Sequence, residues 1–168
     1  MKHVHHPILK CTAVASLLLA GVAAQATSWT VLSLGNLSPE LNGGSHTLSN
    51  TGRIPGNIYL TDHYAAYVSG PDGVGATALA APANSNSMAK GLNEAGQAVG
   101  WVRINDAPSR PFITNANASG FTIFGDAGTT GVANAINQSG QVVGYLSDIN
   151  GDNAYVYITD SNAQGVRA

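Results

Sequence analysis

The chain reads as an all-β protein made of three antiparallel units of about 44 residues, each four-stranded and propeller-like in arrangement. Three observations predict this. First, one phrase returns at constant spacing: Ser45–Gly56, then Ala89–Gly100, then Ala133–Gly144, each 44 residues after the last. A fixed period of this size is the signature of stacked or radial supersecondary units. Second, each copy carries the same turn chemistry at the same phase. Third, outside the N-terminal stretch no segment shows a 3.6-residue apolar period, whereas short β-branched and aromatic runs alternate with Gly, Asn and Ser.

Taken in order, the first 26 residues read as a secretory signal peptide. Lys2 and Lys10 form a basic start, Cys11–Ala24 is apolar or small, and Ala24-Gln25-Ala26 supplies a small-x-small cleavage site. The apolar stretch is shorter than the ~20 residues that span a bilayer. Residues 27–168 then form one domain, with a leader strand at 29–35 and repeats at about 45–88, 89–132 and 133–168. Cleavage removes the only cysteine, so this domain folds without disulfides. Removing Lys2 and Lys10 from the seven basic residues leaves five against nine acidic ones, a net charge of −4. The basic residues are scattered, which excludes nucleic acid and anionic membrane surfaces as natural partners.

Within a repeat, Asn137-Gln138-Ser139-Gly140 separates two strands. Asparagine at the first position caps its own backbone, and glycine at the fourth takes the left-handed conformation of a bulged hairpin. Asn93-Glu94-Ala95-Gly96 repeats this, as does Ser49-Asn50-Thr51-Gly52 with serine as the cap. Gly100 and Gly144 follow at matching positions in the second strand. A polar loop comes next (Asp62-His63, 105–110, 147–153), then a third strand (66–69, 111–114, 154–159). After a Gly/Asn/Ser turn, a fourth run appears at 121–124 and more weakly at 76–80. The chain reaches Gly165–Ala168 where the last unit's fourth strand is due, and three readings stay open: the leader strand at 29–35 completes that unit and closes a small ring, two chains complete one ring, or the sequence is a fragment of a longer array.

The phrase Ala-x-x-Ile/Leu-Asn-x-x-Gly-Gln-x-Val-Gly is carried by Ala133, Ile136, Asn137, Gly140, Gln141, Val143 and Gly144, with Leu34-Gly35 in the leader. It resembles the HAF family of bacterial extracellular repeats, over Val31 to about Thr159. The likeness is good in the second and third copies and eroded in the first, where Arg53 and Pro55 replace glutamine and valine. The resemblance implies a secreted or surface-displayed protein of no settled activity, extracellular or periplasmic, with no catalytic residues to carry over.

Candidate chemistry is sparse. Asp62, Asp106 and Asn150 recur at the repeat period, so a ring would bring them to equivalent loop tips able to hold a cation or sugar hydroxyls. Capping of each residue's own turn explains them equally simply. Trp101 and Tyr145 are repeat equivalents that suit an aromatic, sugar-stacking face, and packing between units explains them too. Asp148, Asn150 and Asp152 place oxygens at alternate positions as a Ca²⁺ loop does. Asn153 stands where the loop glycine belongs and Thr159 where the bidentate glutamate belongs, so a polar hairpin turn competes and no cofactor is expected. Glu94 reads as a surface turn residue. His46 and His63 lack metal-ligand spacing, and no acid pair or nucleophile setting stands out. The expected function is a non-catalytic extracellular binding module for polysaccharide or a surface protein. A structural protein self-assembling through open strand edges is the alternative, and a polysaccharide-active enzyme the second.

Overall fold

The computed structural model describes residues 47–168, which fall in one compact unit. The signal peptide, the leader strand at 29–35 and the ring closure assigned to it lie outside the described residues, as does the start of the first repeat.

Ten strands form three antiparallel sheets. The first runs β1 (Pro55–Leu60), β2 (His63–Ser69), β3 (Ala76–Ala78). The second runs β4 (Ser85–Leu92), β5 (Ala98–Ile104), β6 (Arg110–Ile113), β7 (Thr122–Ile123). The third runs β8 (Thr129–Ile136), β9 (Val142–Asp148), β10 (Tyr155–Ile158). Among the described residues, four paired strands are present in the second sheet alone. The position before β1 falls outside the described residues, and the third sheet has a single bridge, Ile158 to Arg167, where β7 stands in the second. The sheets follow one another in series, and no closed barrel or propeller forms among the described residues.

The hairpin turns are built as their side chains dictate. The Gly52, Gly96 and Gly140 amides donate to the carbonyls of Ser49, Asn93 and Asn137, three residues back. The side-chain oxygens of Ser49, Asn93 and Asn137 accept the amides of Arg53, Gln97 and Gln141. Gly52, Gly96 and Gly140 have φ of 72°, 76° and 78°, the left-handed region in which a Cβ is strained. Just before the second and third turns the ladder shifts by one residue, between Ala89 and Gly91 in β4 and between Ala133 and Ala135 in β8. At these bulges a methyl on Gly100 or Gly144 would run into the carbonyl oxygen of Met88 or Val132.

The Gly/Asn/Ser turn read after the third strand recurs in all three sheets with one conformation that the residues did not announce. Pro71–Gly73, Ala116–Ala118 and Ser161–Ala163 each place two successive residues at positive φ: Asp72 and Gly73, Asn117 and Ala118, Asn162 and Ala163. Each turn docks on the hairpin of its own sheet. The amides of Asp72, Asn117 and Asn162 donate to the carbonyls of Thr51, Ala95 and Gly140 at 2.9, 2.9 and 2.8 Å. Just before these turns, the buried hydroxyls of Ser69, Thr114 and Thr159 accept the amides of Ile54, Ala98 and Val142, whose carbonyls take the amides of the same three residues.

Two apolar clusters fill the sheet junctions. Ala66, Val68 and Leu79 of the first sheet meet Ala89, Leu92, Val102 and Phe112 of the second. Val99 and Ile113, from the opposite side of the second sheet, meet Ala133, Val142, Leu146 and Tyr157 of the third. Burying each large aliphatic or aromatic side chain contributes about 1.5–3 kcal/mol.

Candidate functional site

The two ends of each sheet differ in chemistry. At one end lie the hairpin turns, tied to one another across the junctions. At the other lie the loops after β1, β5 and β9, which carry Asp62, Asp106 and Asn150.

At that loop end a cleft of about 530 Å³ opens where the second and third sheets meet. Trp101 and Arg103, two apart on β5, share one side of that strand by its pleat. Val132 and Tyr145 are cross-strand partners on β8 and β9. Ala107 and Pro108 from the β5–β6 loop and Thr130 complete the wall, with Asp106 at the rim. The loop is pinned in place: the Gly131 amide donates to the Ser109 carbonyl at 2.8 Å, and Thr130 Oγ1 donates to the same oxygen at 3.1 Å. Asn105 and Asp106 both have positive φ, and the Ala107 amide closes the turn on the Ile104 carbonyl. The cleft thus combines two aromatic residues with one carboxylate and one guanidinium, in the volume range of small-molecule sites.

Asp106 also lines a second, polar hollow of about 340 Å³ at the junction of the first and second sheets, with Asp62, His63, Asn84, Asn86 and Asn105. There His63 Nδ1 donates to Asp62 Oδ1 at 2.6 Å, and Asn86 Oδ1 accepts the Tyr64 amide.

The structure therefore brings Asp62 and Asp106 into one hollow, and Asp106, Trp101 and Tyr145 into another. Asn150 lies exposed in the β9–β10 turn and lines neither. Asp148 is engaged in its own turn. Its Oδ2 accepts Asn153 Nδ2 at 2.7 Å and its Oδ1 accepts the Asp152 amide at 2.9 Å. The Asn153 bond, with help from the turn amides, holds this carboxyl below the usual carboxylate range. Asn150 and Asp152 are exposed beside it, so the triplet is built as a hairpin turn. Among the described residues no three His, Cys, Asp or Glu side chains gather as a metal centre would need. Sequence reading did not single out Arg103 or Val132. Arg103 was legible from strand alternation, two residues beyond Trp101; Val132 required the β8–β9 register.

Glu94 is more than a surface turn residue. Its Oε1 accepts the Asn50 amide at 2.6 Å, and its own amide donates to Gln138 Oε1 at 3.0 Å. Asn93 Nδ2 donates to the Asn137 carbonyl at 3.1 Å, and Lys90 Nζ to Asn134 Oδ1 at 2.8 Å. Each of these bonds joins positions 44 residues apart. Gln97 Nε2 reaches Asn162 Oδ1 across the same junction at 2.9 Å.

No family model, no curated protein sequence and no solved structure matches the chain.

Proposed function

We propose that the protein is an exported, non-catalytic binding module that takes a sugar unit of an extracellular polysaccharide into the cleft between Trp101 and Tyr145. The carrying observation is that cleft, in which two aromatic rings, Arg103 and Asp106 line one hollow of about 530 Å³. Sugar rings offer an apolar C–H face for stacking and hydroxyls that a carboxylate and a guanidinium hold by charge-assisted hydrogen bonds. The series of three antiparallel sheets and the HAF-type phrase around Asn93 and Asn137 support the same reading, as does the leader-like stretch at 1–26.

A glycan array, followed by titration of the best glycan while tryptophan fluorescence is recorded, tests the proposal. Trp101→Ala and Asp106→Ala should each weaken binding at least tenfold with unchanged circular dichroism, whereas Asn150→Ala should bind as the parent does. A protein that binds no glycan, or whose Trp101→Ala variant binds undiminished, sinks the reading.

A further inference from the structure

We infer that the outward face of the third sheet is an assembly surface for a second copy of this chain, whose first sheet docks there head to tail. Val143, Val156 and Ile158 stand on that face, with Val143 and Ile158 as cross-strand partners. They are 39%, 75% and 42% exposed. The matching residues of the second sheet, 44 or 45 positions earlier, are Val99, Pro111 and Ile113. Val99 and Ile113 are 0% and 4% exposed, Pro111 is fully buried, and Val99 and Ile113 pack under the third sheet. Pro55, Ala66 and Val68 play the same part in the first sheet and are buried, Ala66 and Val68 under the second. Three faces of one design thus follow in series, and among the described residues the last alone is bare.

The two internal junctions specify the occupant. What covers each face is the opposite side of a sheet of the same kind, and the described part of the first sheet, from Leu48 on, carries that side. Its positions matching Leu92, Ala98 and Val102 are Leu48, Ile54 and Ile58. Leu48 is 68% exposed, and Ile54 and Ile58 are only partly buried, against 3%, 0% and 1% for Leu92, Ala98 and Val102. The polar ladder agrees. Glu94 accepts the amide of Asn50, and Gln138 that of Glu94, so the Gln138 amide is the donor that the Asn50 side chain of an incoming first sheet would accept. Gln141 holds the position from which Gln97 reaches Asn162; in the docked copy its counterpart is Asp72. A contact joining the back of one copy to the front of the next is heterologous, giving a ring or an open filament.

Light scattering over a hundredfold range of concentration reads this directly. The parent chain should gain mass with concentration, while Ile158→Glu, at an exposed position that leaves the fold intact by circular dichroism, should remain a monomer. A parent that is monomeric throughout, or an Ile158→Glu variant that associates equally well, overturns the inference. A second reading uses Asn50→Cys/Gln138→Cys in a Cys11→Ser background, treated with a short bis-maleimide. Head-to-tail docking predicts a ladder of cross-linked dimers and higher species on a denaturing gel. A cross-link confined within single chains, where the two positions flank Glu94, or the absence of any cross-link, rejects the second copy as occupant. Tyr145 of the cleft stands on this same face as the cross-strand partner of Val156, so glycan binding is titrated on the monomeric Ile158→Glu variant, where it stands or falls apart from assembly.

Discussion

Glycine at 52, 96 and 140 meets two demands at once. Each has positive φ, and a Cβ would come within 2.8 Å of Asp72 Cα, 3.0 Å of Asn117 Cα and 3.1 Å of the Asn162 amide nitrogen respectively. Gly96→Ala combines the left-handed penalty with this crowding and should cost about 2–3 kcal/mol in urea unfolding. The opposite change is expected at Ala118, an alanine at φ 56° where its counterpart Gly73 needs no Cβ. Ala118→Gly should gain about 0.5 kcal/mol, the relieved strain exceeding the chain entropy that glycine brings. Thr114→Val removes the hydroxyl that accepts the buried Ala98 amide at 2.8 Å; about 1–3 kcal/mol should be lost in the same measurement. The Asn-x-x-Gly turns were legible because one side chain caps the backbone and one glycine fixes its hand, both local effects. The turns at 72–73, 117–118 and 162–163 were legible in place, as Gly/Asn/Ser stretches after the third strand, and not in conformation. Asp-Gly and Asn-Ala share a conformation but little identity, and alanine gives no hint of positive φ.

Between neighbouring sheets, the apolar clusters supply area and the 44-residue ladder supplies register. Glu94 is the middle rung: it accepts from Asn50 and donates to Gln138. Glu94→Ala should leave each hairpin formed while loosening the first junction. Hydrogen exchange should then quicken at the Asn50 amide and in β1, and stay unchanged in β9. Equal quickening in all three sheets would show that the rung does not act locally. Sequence reading found the period and the strand order, since turn residues and β-branched runs declare themselves within a few positions. It did not find the rung. A glutamate where other copies have asparagine or glutamine looks like drift until its partner one period away is known.

Across the described residues as a whole, the second sheet lends one side to each core. Tyr157 and Tyr67 are the phenols buried deepest, 1% and 3% exposed, and burial raises both above the usual tyrosine range. Their folded-state pKa values lie above the unfolded one, so their stability contribution is whole below about pH 10 and is lost as pH rises beyond it. Thermal unfolding should therefore fall in midpoint above about pH 10, and Tyr157→Phe should flatten that fall. The site was half legible in the same sense. Trp101, Tyr145 and Asp106 drew notice one by one, because aromatics and loop acids are conspicuous; their meeting across a junction depended on how the 105–109 loop is pinned to β8. That pinning has a further consequence. Every rung joining sheet to sheet through Asn50, Glu94 and Gln138 sits at the hairpin end, and the cleft-bearing loops sit at the far end of the same strands. Substitutions or insertions at 105–108 leave every joint in the stack untouched, provided that Ser109 keeps its hold on β8. Selection, or an engineer grafting a new recognition loop, is thus free to rewrite one end of this scaffold while the other keeps it standing.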